Sequence, residues 1–104
     1  MDYLKEIESL VEIFRDLGLI VYNYGPLMTA HNTYFLIIFT PDYTERLKLE
    51  YDDPETLLEN LIRYTSGVKY YKYNNFEFEP EVVFELPEFS SAKELRMKME
   101  LKGK

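Results

Sequence analysis

Residues 94 to 104 read ELRMKMELKGK, and the architecture of the whole chain turns on whether they extend or coil. Leu95, Met97, Met99 and Leu101 alternate without a break with Arg96, Lys98, Glu100 and Lys102. Charged, straight-chain residues favour a helix by propensity, yet on a helix these four apolar side chains would spiral around the axis. On a strand they share one face, so the spacing predicts a strand, with a helix as the alternative.

A strand needs a neighbour, and the stretch NFEFEPEVVFELPE at 75–88 supplies one. There Phe76, Phe78, Val82, Phe84 and Leu86 alternate with Glu77, Glu79, Glu81 and Glu85. With PEFSSAK as the connection, the apolar sides of the two strands coincide, and the glutamates meet Arg96, Lys98 and Lys102. Such cross-strand pairs contribute about 0.2–1 kcal/mol each and act mainly on register. Glu77 and Glu79 lie beyond the reach of the basic strand and stay open to a partner. Pro80 cannot donate a ladder hydrogen bond, so it should mark a bulge, a break or an outer edge.

Working back toward the N-terminus, residues 2–17 place Leu4, Ile7, Leu10, Val11, Phe14 and Leu17 at helical spacing, with Asp2 as N-cap and Gly18 beyond the end. LIVYNY at 19–24 is β-branched and aromatic, and it ends at Gly25-Pro26. TYFLIIFT at 33–40 is almost continuously apolar, which predicts a strand covered on both faces, or covered on the second face by a dimer partner. RLKLEY at 46–51 alternates as a half-wet antiparallel neighbour. DDPETLLENLIRYTSG carries Asp53 as N-cap, Pro54 at the first position and Gly67 past the end, a second helix. VKYYKY at 68–73 reads as a strand and Asn74-Asn75 as a turn. The expected fold is one α+β domain over 1–104, ordered α-β-β-β-α-β-β-β. Its mainly antiparallel sheet has five to six strands, with two helices packed on one face.

Composition narrows the functions. The chain has 104 residues, a net charge of −7 and no cysteine, and it is 46% hydrophobic and 16% aromatic. That content sustains a core, while the acidity repels phosphate backbones and anionic membranes, so neither nucleic acid nor membrane is an expected partner. Without cysteine there is no disulfide, thiol nucleophile or zinc–thiolate site. No basic start with an apolar run precedes the first helix, and the expected location is the cytoplasm. Richness in Tyr, Glu, Asn and Ile is compatible with an archaeal, thermophilic or viral origin.

No motif names a reaction. His31, the single histidine, lies in the loop GPLMTAHNT and is the one weak candidate for a general base, near a cleft at 25–32. Asp42, Glu45, Glu50, Asp52 and Asp53 are spaced wrongly for a calcium loop, and the four glycines form no phosphate cradle. No cofactor or metal is therefore expected. The order helix–three strands–helix matches double-stranded-RNA-binding domains, but the second helix opens on DDPE where such domains are basic. In order, size and charge alone the chain is similar to small acidic secretion chaperones, which implies a homodimer binding an extended client segment. Tyr22, Tyr24, Tyr70, Tyr71 and Tyr73 are candidates for an aromatic protein-binding platform, since tyrosine joins large area to a polar tip. The expected function is a non-enzymatic, homodimeric protein-interaction module: an adaptor, a chaperone-like binder or an acidic inhibitor. A small carboxylate- and His31-dependent hydrolase or isomerase, and a structural subunit of a larger complex, are the alternatives.

Overall fold

The computed structural model describes residues 2–24, 33–43, 45–72 and 81–102. The first helix, α1 (Tyr3–Asp16), starts at Asp2, whose carboxylate accepts from the Lys5 amide at 3.2 Å. It ends through Gly18 at φ 96°, a conformation a Cβ would oppose. The Arg15 guanidinium then donates to the Val21 carbonyl at 2.7 Å, tying α1 to β1 (Ile20–Tyr24). β1 pairs antiparallel with β2 (Tyr34–Phe39), and β2 with β3 (Arg46–Tyr51), giving the sheet order β1-β2-β3.

Asp53 and Pro54 open α2 (Pro54–Thr65) as the sequence predicts, and the Asp53 carboxylate accepts from the Thr56 amide and hydroxyl, each at 2.8 Å. Gly67, at φ 71°, closes the turn after α2 with its amide on the Pro87 carbonyl at 3.0 Å. β4 (Lys69–Lys72) and β5 (Glu81–Glu85) then form a separate two-stranded antiparallel ribbon. Its register jumps from Phe84 to Val82 between Tyr70 and Tyr71, which is a bulge.

Two expectations are corrected. The segment predicted as a strand at 94–102 is a helix, α3 (Ala92–Lys102). The Glu94 amide donates to the Ser91 hydroxyl at 3.1 Å, and the Glu94 carboxylate accepts from the Ser90 amide and hydroxyl at 3.1 and 2.7 Å. These bonds satisfy amides that a nascent helix leaves orphaned. Leu95 is completely buried and Met99 packs on the core four residues later, while Met97 is 56% exposed. The alternation therefore splits between two sides of a helix.

The second correction follows from the first. With α3 coiled, β4 is left as the partner of β5, and the antiparallel strands divide into sheets of three and two instead of one of five to six. The expected pairing of the acidic strand with Arg96, Lys98 and Lys102 is replaced accordingly. Lys69 faces Glu85 across the ribbon at 3.7 Å, and Lys98 bonds the Glu88 carbonyl at 2.6 Å and pairs with Glu94 at 3.2 Å. Among the described residues the fold is α+β with three helices, in the order α-β-β-β-α-β-β-α.

Helix α1 is the hub, touching α2, α3 and β1, while α2 covers β3. Leu10 and Phe14 of α1, Leu57 and Leu61 of α2, and Leu95 of α3 belong to one buried cluster with Val21, Leu36, Ile38 and Leu49 of the larger sheet, and α3 joins it beside α1. The Phe14 and Phe89 rings meet edge-on at 6.4 Å. Glu6 reaches from α1 to accept the Ala92 amide at 2.6 Å, so it caps a helix 86 positions away. The shortest dimension, 19 Å, accommodates two layers of roughly 10 Å, one of helices and one of strands.

The caps give the fold an acid limit. Hydrogen bonds from Thr56 hold the Asp53 carboxyl below its ordinary range, and bonds from Ser90 followed by Lys98 do the same for Glu94. A carboxyl whose folded pKa is depressed stabilises fully above its ordinary value, and that contribution is lost as pH falls through the folded value. The melting temperature should therefore fall on acidification below about pH 4. Asp53→Asn keeps the cap but not the charge, and it should flatten that fall with little change at neutral pH. An unaltered acid slope in thermal melts counts against the cap as its source.

Candidate protein-binding face

Along each strand of the larger sheet, side chains alternate between the helices and the outside. Val21, Leu36, Ile38 and Leu49 point to the core. The register sets the outward positions in three rows: Ile20, Phe39 and Arg46; Tyr22, Ile37 and Lys48; and, at the far end, Phe35 and Glu50. Ile20, Phe35, Ile37 and Phe39 are only half-buried. None belongs to the buried core or to the hydrophobics packed against it. Among the described residues the helices thus occupy one side of this sheet, and apolar, aromatic side chains stand on the other. The continuous apolar run of TYFLIIFT, which predicts a strand covered twice, has one face on the core and one on this surface.

Its most built feature is a cluster at one end. The Tyr22 ring meets Phe39 at 6.0 Å and an interplanar angle of 86°, and Tyr43 meets Phe39 at 5.5 Å and 49°. Tyr22 is 47% exposed and Tyr43 is 59% exposed. Tyr43 sits in the β2–β3 turn at φ 61°, a left-handed conformation that is unusual for a bulky residue and costs roughly 1–2 kcal/mol. The turn holds it there. The Tyr43 amide donates to the Thr40 carbonyl at 2.9 Å, and the Thr40 hydroxyl both donates to Asp42 at 2.8 Å and accepts the Glu45 amide at 3.1 Å. Strain kept at a ring that is mostly in solvent adds nothing to the core, which is the pattern of a residue held for contact.

A direct check is available. Tyr43→Ala keeps the strain and loses the ring contact, whereas Tyr43→Gly releases the strain. Urea denaturation should therefore find the glycine variant more stable than the alanine variant by about 1 kcal/mol, the reverse of the order at an ordinary position. Equal stabilities would remove the strain argument.

The charges of the face lie along β3. Lys48 stands 5.3 Å from the Phe35 ring centroid and 3.9 Å from the Glu50 carboxylate, which also accepts from the Thr33 hydroxyl at 3.5 Å. Arg46 is exposed at one end of the row and Glu50 at the other.

Of the tyrosines expected to form one platform, Tyr22 and Tyr70 are placed on different elements. Tyr22 lies on the outer face of the larger sheet, whereas Tyr70 lies in the ribbon, packed against the core and 6.3 Å from Phe84. Burial, then the nearby Glu45 carboxylate, raises the Tyr70 pKa above its ordinary value. Tyr24 stands opposite Phe35 in the backbone register and Tyr71 opposite Val82. Tyr73, Glu77, Glu79, Pro80, the 74–75 turn, His31 and the 25–32 loop lie outside the described residues. Phe39, Ile37 and Tyr43 were not singled out by sequence. The available signal is a six-residue β2–β3 connection, TPDYTE, with neither Gly nor Asn to take the left-handed position.

Elsewhere, an open depression of about 500 Å³ runs along α1, lined by residues such as Lys5, Glu8, Ser9, Glu12 and Arg15. The buried polar residues of the described core are Thr33, Thr40 and Thr65, all hydrogen-bonded. No group of acidic or imidazole side chains among the described residues could hold a metal ion, and no described helix is long and apolar enough to cross a membrane. No protein-family model, curated protein or solved structure matches the chain.

Proposed function

We propose that the chain is a non-enzymatic protein-interaction module, an adaptor or binder of another protein, and that the aromatic face of the three-stranded sheet is its contact surface. The observation that carries this reading is Tyr43, held in a strained turn beside Phe39 and Tyr22 while more than half exposed. Large rings with polar tips, gathered on a surface that no helix of the described residues covers, are what protein interfaces enrich. Acidic mimicry is the less supported version of the reading. Despite the net charge of −7, the charged margin of this face carries Arg46 and Lys48 as well as Glu50.

Affinity purification from the native source tests the assignment, with the wild-type chain and a Tyr22→Ser/Tyr43→Ser variant as baits. The wild type should retain a specific protein that the variant loses, while thermal melts show both folded. Equal recovery on both baits moves the contact to another surface.

A further inference from the structure

We propose that this face closes against the same face of a second copy of the chain, in a two-fold dimer whose axis crosses the strands at the level of Ile37. The proposal rests on the protein-interaction reading and names its partner.

The warrant is the order of charges on β3, where Arg46, Lys48 and Glu50 hold the three outward positions of an edge strand. In an isologous contact, residue i lies on residue j and j on i. An axis across the strands lays each strand over its own copy in reverse, so the row of Ile20, Phe39 and Arg46 covers the row containing Phe35 and Glu50 of the partner subunit. Arg46 then meets Glu50 of the partner subunit, and symmetry forms the pair twice. An axis along the strands would instead lay β3 over β1, whose sequence IVYNY carries no charge.

The centre of the face agrees with the first arrangement. Ile37 falls on its own copy, an apolar contact at the middle of the patch. Lys48 also lies on the axis, but its ammonium is drawn aside toward Phe35 and Glu50 of its own chain, which relieves the like-charge approach.

Three strands about 4.8 Å apart, of five, six and six residues at about 3.4 Å each, present roughly 280 Å² of face. A standard interface buries about 800 Å² per partner, so the dimer is weak and concentration-dependent.

Sedimentation velocity on the full chain, from about 10 µM to about 1 mM, should show monomer and dimer in equilibrium. Arg46→Glu and Glu50→Arg should each weaken association about tenfold, because each sets two like-charge pairs across the axis. An equal mixture of the two variants should restore association, since both pairs are again opposite in the mixed dimer. Ile37→Asp should abolish it, with circular dichroism melts confirming that every variant is folded.

A wild type that stays monomeric at about 1 mM overturns the proposal. So does a dimer that the mixture fails to restore, or one indifferent to Ile37→Asp. If the chain is monomeric yet the Tyr22→Ser/Tyr43→Ser bait still loses its protein, only the second copy is removed as occupant. If that bait also loses nothing, the face itself falls as the contact surface.

Discussion

Leu95→Ala should cost about 2–5 kcal/mol in urea denaturation, while Met97→Ala stays within about 0.5 kcal/mol of the wild type. Leu95 is fully enclosed, so truncating it forfeits the transfer free energy of the lost carbons and leaves a cavity among side chains that relax only partly. Met97 is 56% exposed and has little to lose. On a strand the two residues would share the core face and cost comparable amounts. The gap between them therefore reads out the conformation of 92–102, and similar losses would contradict the helix.

Phe14→Ala should be at least as damaging, at about 3–5 kcal/mol. Phe14 is fully buried in the helix that touches α2, α3 and β1, and its ring meets Phe89 edge-on. A double-mutant cycle with Phe89→Ala should return a coupling of about 0.5–1.5 kcal/mol, the range for aromatic pairs. A loss below about 1 kcal/mol for Phe14→Ala would mean that α1 does not seat on the sheet.

These two residues mark what was legible in the sequence and what was not. Phe14 belongs to a helix whose apolar spacing, Asp2 cap and terminal Gly18 all agree, and α2 is equally consistent through Asp53, Pro54 and Gly67. The three strands of the larger sheet also lie where their β-branched and alternating runs predict them. Leu95 belongs to a segment in which two periods compete. Perfect alternation favours a strand, while helix-forming residues and the Ser91-to-Glu94 spacing of a capping box favour a helix. The local hydrogen bonds around Ser90, Ser91 and Glu94, with Leu95 buried and Met99 packed on the core while Met97 faces out, decide for the helix. The division of the strands into two sheets depends on that outcome and could not be read separately.

The candidate face was legible only in part. Tyr22 was named from residue type, but the rows that gather it with Ile37 and Lys48 exist only once register is set. Tyr70 looked equivalent in sequence and lies instead against the core, because alternation along a strand says that neighbours diverge without saying which side is wet. Tyr43 escaped notice because a backbone angle carries its significance, and tyrosine is a residue that propensity would not place there.

The hydrogen bond from the Ala92 amide to Glu6 also sets an order of events. During synthesis α1 emerges long before the segment it caps, so the side of Phe14 that meets Phe89 must wait for most of the chain. Closing a loop of that length costs entropy before any contact repays it, which places the docking of α3 late in folding. Until then the nascent protein shows two apolar surfaces: the one that α3 will cover, and the outer face of the sheet. A chain held by an arrested ribosome before Leu95 has emerged should accordingly be the form most prone to aggregate or to recruit a chaperone.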